Sequence, residues 1–281
     1  MNKITFPNIN LEFNINPVAF KIGEKPIYWY AIIITSGIML ALFLAYRRLK
    51  KMSEIDKLSR RFDWNDIIDL VLFMVPIGII CARLYYCAFR WDYYGSHLMD
   101  IFKIWNGGIA IYGGVIGGVI TGYIFCKVKK IQFLDMADFC IPYLAMCQSI
   151  GRWGNFVNAE AHGTETDAFL KMGILNDEIN PMRFFHPTFL YESICTFCIF
   201  LILLLVDKKK KFIGQAFYLY FILYGTARYF IEGLRTDSLY VGNTDIRISQ
   251  LLSLIFVFIF TLIYLYRRLN IRALMIKMNR D

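Results

Sequence analysis

Apolar residues run through this chain in long blocks separated by short polar clusters. A helix needs roughly 20 apolar residues to cross about 30 Å of hydrocarbon. Seven stretches meet that pattern, at about 28–46, 66–89, 107–126, 134–152, 188–206, 212–232 and 248–266. The pattern predicts an all-α integral membrane protein forming a single polytopic domain over residues 1–281. Ahead of the first block, residues 1–27 alternate partly between apolar and polar (Ile9, Leu11, Phe13, Ile15), as a segment lying along a surface would. Two connections, 90–106 and 153–187, are longer than simple links, and long loops are often functional.

Positive charge sets the expected orientation. Arg47, Arg48, Lys50, Lys51, Lys57, Arg60 and Arg61 follow the first span. Lys127, Lys129 and Lys130 follow the third, and Lys208 to Lys211 the fifth. Arg267, Arg268, Arg272, Lys277 and Arg280 follow the seventh. Such clusters collect on the cytoplasmic side. The N-terminus is therefore expected outside, the C-terminus in the cytoplasm, and both long loops outside.

Composition agrees with this reading. The 281 residues are 57% hydrophobic, 17% aromatic and 19% charged, against about 45–50% apolar and 25% charged in soluble domains. The net charge of +9 follows from the cytoplasmic clusters and implies membrane lipid rather than nucleic acid as surroundings. The seven cysteines lie in or beside apolar runs, with no spacing of a disulfide framework. With three histidines and no His/Cys cluster, neither a metal nor a cofactor is expected.

Charge inside a span is costly and is usually paired or functional. Arg83, Arg152, Glu192, Arg228 and Glu232 all fall towards the outer ends of their spans, whereas Asp138 falls near the inner end of the fourth. Arg152 closes the fourth span in this reading and has no obvious partner. Tyr224, Arg228, Glu232 and Arg235 fall on one helical face. Glu232 could simply neutralise Arg228. Alternatively, two guanidiniums at one depth suit an anionic ligand, because Arg binds phosphate bidentately. The glycines Gly113, Gly114, Gly117 and Gly118 form overlapping GxxxG pairs, normally a helix-packing device, just after Tyr112. Pro187 is a normal helix opener, and the neighbouring His186 could cap the helix or hydrogen-bond.

The densest motif is Gly151-Arg-Trp-Gly-Asn-Phe-Val-Asn-Ala-Glu-Ala-His-Gly163, which is either a helix-capping turn or a binding loop. It resembles the signature G-R-x-G-N-F-x-N-x-E-x-x-G of the prolipoprotein diacylglyceryl transferases, with every fixed position filled. Trp29-Tyr30, His186-Pro-Thr-Phe-Leu-Tyr-Glu192 and the Tyr224-Gly-x-x-Arg228-x-x-x-Glu232-x-x-Arg235 pattern are also similar to that family.

The resemblance implies a seven-helix bundle in the bacterial plasma membrane, with its site towards the outer leaflet. It implies transfer of diacylglyceryl from phosphatidylglycerol to the lipobox cysteine of prolipoprotein signal peptides, with release of glycerol phosphate. Carried over residue by residue, Arg228, Tyr112, Tyr30, Glu160 and Asn155 are the catalytic candidates. Arg152, Asn155, Gly163 and Tyr224 are the lipid-binding ones. Arg83, Asn158, His186, Glu192, Glu232 and Arg235 stand as supporting residues. Asp138 matches a family carboxylate, but its depth favours a structural role. Tyr112 replaces a histidine that some members carry as a proposed base. Tyr is a poor base, so the expectation is that Arg228 and its surroundings lower the thiol pKa while Tyr112 orients substrate. The competing readings are another lipid-group transferase and an anionic-solute transporter. The transporter would need polar residues on both sides, and the former usually a His-Asp pair.

Overall fold

A computed structural model describes residues 1–55, 62–240, 242 and 244–278. Of the basic clusters, Lys57, Arg60, Arg61 and Arg280 lie outside these residues, as do the side chains of Arg272 and Lys277. Each expected apolar stretch forms a helix: α1 (Trp29–Ile55), α2 (Trp64–Phe89), α4 (Ile111–Val128), α5 (Phe133–Asn158), α6 (Thr188–Lys208), α7 (Gln215–Leu234) and α8 (Ile248–Met278), with a single turn, α3 (Trp91–Tyr94), after α2. Five of them (α1, α2, α4, α6 and α8) are long and apolar enough to cross a membrane. The chain is a helical, multi-pass membrane protein. The other two, α5 and α7, are the helices that carry Arg152 and Asp138, and Arg228 and Glu232.

Boundaries differ from the expected ones for local reasons. Gly107 and Gly108 adopt φ of 81° and 79°, so α4 begins only at Ile111. Gly214, at φ 94°, similarly holds back α7. Arg152 does not close its helix, because α5 continues to Asn158. Most of the dense motif is therefore helical, and only Ala159 to Gly163 is loop. At the far end of the motif's partner, α7 stops at Leu234, so Arg235 leaves the face that Tyr224, Arg228 and Glu232 share.

The residues form two compact units. One comprises Tyr46–Met136. Within it, α2 starts in a capping box of Asp63 and Asp66. Gly113 and Gly117 of α4 seat against α2, where a Cβ at Gly117 would stand 2.5 Å from the Cys81 Cβ. The GxxxG face is thus a packing surface. Arg83 is buried in this unit and donates to the carbonyls of Asp100 (2.6 Å), Ile101 (2.9 Å), Lys103 (3.4 Å), Gly107 (2.5 Å) and Gly108 (2.9 Å), with its guanidinium 5.2 Å from the Tyr94 ring centre. It organises the loop between α2 and α4, and its donors are committed to backbone.

The other unit comprises Met1–Ala45 and Ala137–Asp281. It contains a β layer that the all-helical expectation did not include. The strands β1 (Asn2–Phe6), β2 (Leu11–Ile15), β5 (Met172–Leu175) and β6 (Arg183–Phe185) form an antiparallel sheet in the order β2-β1-β5-β6. A separate hairpin, β3 (Val18–Ile22) and β4 (Lys25–Tyr28), leads into α1. In the sheet Ile4 lies opposite Phe13 and Ile174. The inward face (Ile4, Phe6, Met172, Ile174, Phe185) packs on Phe156 and Ala159 at the end of α5 and on Phe189 at the start of α6. Asn2 adds a hydrogen bond from its amide to the Val157 carbonyl at 3.0 Å.

Asp138 is fully buried in the same unit and accepts from the backbone N–H groups of Gly214 (2.7 Å) and Phe217 (2.9 Å). A carboxylate of α5 thus caps the N-terminus of α7, where orphan N–H groups and the helix dipole favour negative charge. The structural role expected for Asp138 is the one its contacts describe. Replacing Asp138 with Ala is expected to cost about 1–3 kcal/mol, the penalty for orphaning buried donors, measured as a lowered unfolding midpoint in detergent, while diacylglyceryl transfer per folded molecule stays within about twofold.

Candidate active site

The site forms where three helix ends of the larger unit meet. Arg152 lies six residues before the end of α5, Arg228 six before the end of α7, and Glu192 four after the start of α6. At about 1.5 Å per residue the three sit within roughly 6–9 Å of their helix ends. Alternating helix direction thus brings distant sequence positions to one level.

Glu192 joins them. Its side chain is 2% exposed. One carboxylate oxygen accepts from Arg152 Nη2 at 2.5 Å and from the Tyr224 hydroxyl at 3.1 Å. The other accepts from Arg228 Nη1 at 2.9 Å. Arg228 Nη2 stands 2.5 Å from Glu232 Oε2, an ion pair along one face of α7. The order Arg152–Glu192–Arg228–Glu232 alternates in sign and sums to zero. Arg152, which has no visible partner in the sequence, is paired. The sequence showed Glu192 as a charge inside a span but not this pairing, because it lies forty residues from Arg152 and on a different helix. The arginine side chains remain 21% and 17% exposed, so both keep a flank open to a ligand.

The signature residues extend this chain of contacts. Arg152 Nη1 donates to Asn155 Oδ1 at 3.2 Å, and Asn155 Nδ2 donates to Glu160 Oε1 at 2.8 Å. The turn that presents Glu160 has left-handed residues on both sides, Ala159 (φ 53°) and Ala161 (φ 56°). Non-glycine residues hold that conformation at some cost, and the sheet packed on Ala159 holds it in place. Tyr30, in the first turn of α1, lies on Gly154, where a Cβ would meet its ring at 2.5 Å. Tyr30 is also within electrostatic reach of Glu160 and Arg152.

Neighbouring residues brace the site. Tyr220 stacks on Tyr224 at 5.5 Å and donates to Gln148 Oε1 at 2.9 Å. Ser149 and Trp153 of α5 both bond Ser193 of α6. None of these was legible as part of the site, because each is an ordinary helix residue until α5, α6 and α7 are placed together. Arg247, from the segment before α8, donates to the Glu232 carbonyl.

Other expected residues have different surroundings. Gly163 is buried, and a Cβ there would meet His186 at 2.7 Å and Thr188 and Leu234 at 3.0 Å, so its lack of a side chain serves close packing. Its backbone also pairs with Arg235 and bonds the His186 carbonyl at 2.9 Å. His186 does not cap α6; its Nδ1 lies 3.3 Å from the Tyr191 hydroxyl. Arg235 binds Asp237 through two contacts, 2.9 and 2.6 Å. Burial alone would raise the Asp237 carboxyl, but the Arg235 hydrogen bond and charge outweigh it and hold it below the usual range. The Asn158 Oδ1 is buried without a partner among the described residues. Tyr112 and Arg83 belong to the Tyr46–Met136 unit.

This geometry occurs in a chain whose residues 17–266 match the family model of prolipoprotein diacylglyceryl transferase. The chain belongs to the prolipoprotein diacylglyceryl transferase family. A Listeria monocytogenes serotype 4a relative is 47% identical over 262 residues, covering 91% of each chain. A Bacillus velezensis relative is 44% identical over 262 residues, covering 91% of this chain and 93% of its own. One from Clostridioides difficile is 44% identical over 238 residues, covering 85% and 90%. All three are named phosphatidylglycerol–prolipoprotein diacylglyceryl transferase. As a member of this family the chain is a transferase.

Removing the shared carboxylate tests the arrangement. Glu192→Gln leaves two guanidiniums without their common counter-charge, and breaking such a buried pair costs about 3–5 kcal/mol. The expected outcome is a markedly lower unfolding temperature in detergent than for Glu165→Gln, which removes only an exposed ion pair with Arg183; equal midpoints would show that Glu192 does not hold the site together.

Proposed function

We propose that the chain transfers the diacylglyceryl group of phosphatidylglycerol to the lipobox cysteine thiol of prolipoproteins, forming a thioether and releasing glycerol 1-phosphate. This is the first step of bacterial lipoprotein maturation. The observation that carries the reading is the pair of arginines, Arg152 and Arg228, held by one buried carboxylate in a chain 44–47% identical to transferases named for this reaction. The two substrates are phosphatidylglycerol and a prolipoprotein signal peptide; no cofactor takes part.

Sulfur attacks the glyceryl carbon that bears the phosphate ester. The C–S bond forms as the C–O bond breaks, and the electron pair passes to the phosphate oxygen. Phosphate charge therefore grows in the transition state, where preorganised cationic donors are most effective. Arg152 and Arg228 supply them from their exposed flanks, and Tyr224 and Asn155 fix their orientation through Glu192 and Arg152. Tyr30 lines the site beside Gly154. Tyr112 orients substrate and takes no proton.

The basic clusters support the finer topology. The seven apolar helices span the plasma membrane as one polytopic domain, with the N-terminus outside and the C-terminus cytoplasmic. The site then faces the outer leaflet, where the lipobox of an exported precursor arrives.

Purified protein with phosphatidylglycerol and a lipobox peptide is expected to add a diacylglyceryl mass to the peptide and release glycerol phosphate. Arg152→Ala should reduce that gain at least about a hundredfold, the scale for losing a transition-state charge donor. No mass gain with folded protein would refute the reading. Tyr112→Phe should retain most of the activity, and a loss beyond about a thousandfold, at the level of a general base, would contradict the role given to Tyr112.

A further inference from the structure

A cysteine thiol, with a pKa near about 8.5, is mostly protonated at neutral pH. It needs either a strong positive field or a base. The field of the arginine pair is weakened here, because Arg152 and Arg228 alternate with two carboxylates, Glu192 and Glu232, to a net charge of zero. Those carboxylates are themselves unsuited to take a proton, as each is buried against a guanidinium.

Glu160 differs on every count. It is exposed at the mouth of the site. Its hydrogen-bond donor is the neutral Asn155 amide, on one oxygen only, and among the described residues it has no ion pair. Its backbone N–H is fixed to the Asn155 carbonyl at 3.0 Å, and left-handed alanines flank it on both sides. The groups that face it are Asn155 and, beyond that amide, Arg152 from α5, and Tyr30 from α1.

Building on the proposed transferase reaction, we infer that Glu160 is the base that accepts the thiol proton. Its free carboxylate oxygen takes the proton as sulfur bonds to the glyceryl carbon. The C–O electron pair leaves with glycerol phosphate, and the proton passes from Glu160 to that phosphate or to water. Asn155 is a positioning residue that couples the base to the phosphate-binding Arg152, so one short relay holds both ends of the displacement. On this assignment the thiol proton goes to Glu160, instead of the thiol being activated by Arg228 and its surroundings.

The test compares the wild type and Glu160→Gln with two lipobox peptides, one carrying cysteine and one selenocysteine, whose selenol is ionised at neutral pH. With cysteine, the variant is expected to lose about 10²–10⁴-fold in turnover, the range for a general base, and the acid limb of the wild-type pH–rate profile should vanish. With selenocysteine most of that loss should disappear. Phosphatidylglycerol binding and the unfolding midpoint should match wild type, and Glu160→Asp should recover part of the cysteine activity. An equal loss with both peptides, weakened lipid binding, or near-normal turnover of the cysteine peptide would each overturn the assignment. Failure of the wild type with both peptides would instead refute the transferase reading.

Discussion

One carboxylate, buried and shared by two arginines, ties the three helix ends together. Neither Arg152 nor Arg228 could remain so deep in a helical membrane protein without the charge that Glu192 supplies. In turn, Glu192 could not stay ionised there without both. Each member is expensive alone, so α5, α6 and α7 must meet at this level or not at all. The compensation is local, and it leaves one flank of each guanidinium exposed.

The β layer supports this from one side. Ile4, Phe6, Met172 and Ile174 press on Phe156 and Ala159, at the point where α5 turns into its loop. The Asn2 bond to Val157 closes the last turn of the helix. Glycines then set the spacing. Tyr30 can lie on α5 only because residue 154 has no side chain, and the loop can return between His186 and Leu234 only because residue 163 has none. Gly154 and Gly163 therefore govern approach of protein to protein, while Arg152, Asn155 and Glu160 of the same motif are linked by hydrogen bonds.

Much of this was legible from pattern. A period of long apolar blocks located every long helix, and charge inside those blocks pointed to Arg152, Glu192, Arg228 and Glu232. Glu160 and Asn155 stood out by motif. What the pattern could not hold is pairing between distant segments. The partner of Arg152 sits forty residues away, and the sheet joins residues 2–6 to residues 172–175. Short-range rules also misplaced the end of α5, since Gly154 within it reads as a turn residue until the Tyr30 ring explains it. Arg83 stands out in the sequence as a charge inside a span, among the supporting residues, yet five carbonyls of one loop satisfy its guanidinium.

The central position of β1 also dictates an order of assembly. Strand β1 precedes every α-helix in the chain, and its partner β5 begins only at Met172. During synthesis the N-terminal hairpin of β1 and β2 has nothing on its other edge while the first helices are already entering the membrane. A pairing across so long a separation closes late. The cover over the end of α5 is thus laid down after α5 itself, by strands that lie on either side of that helix in the sequence.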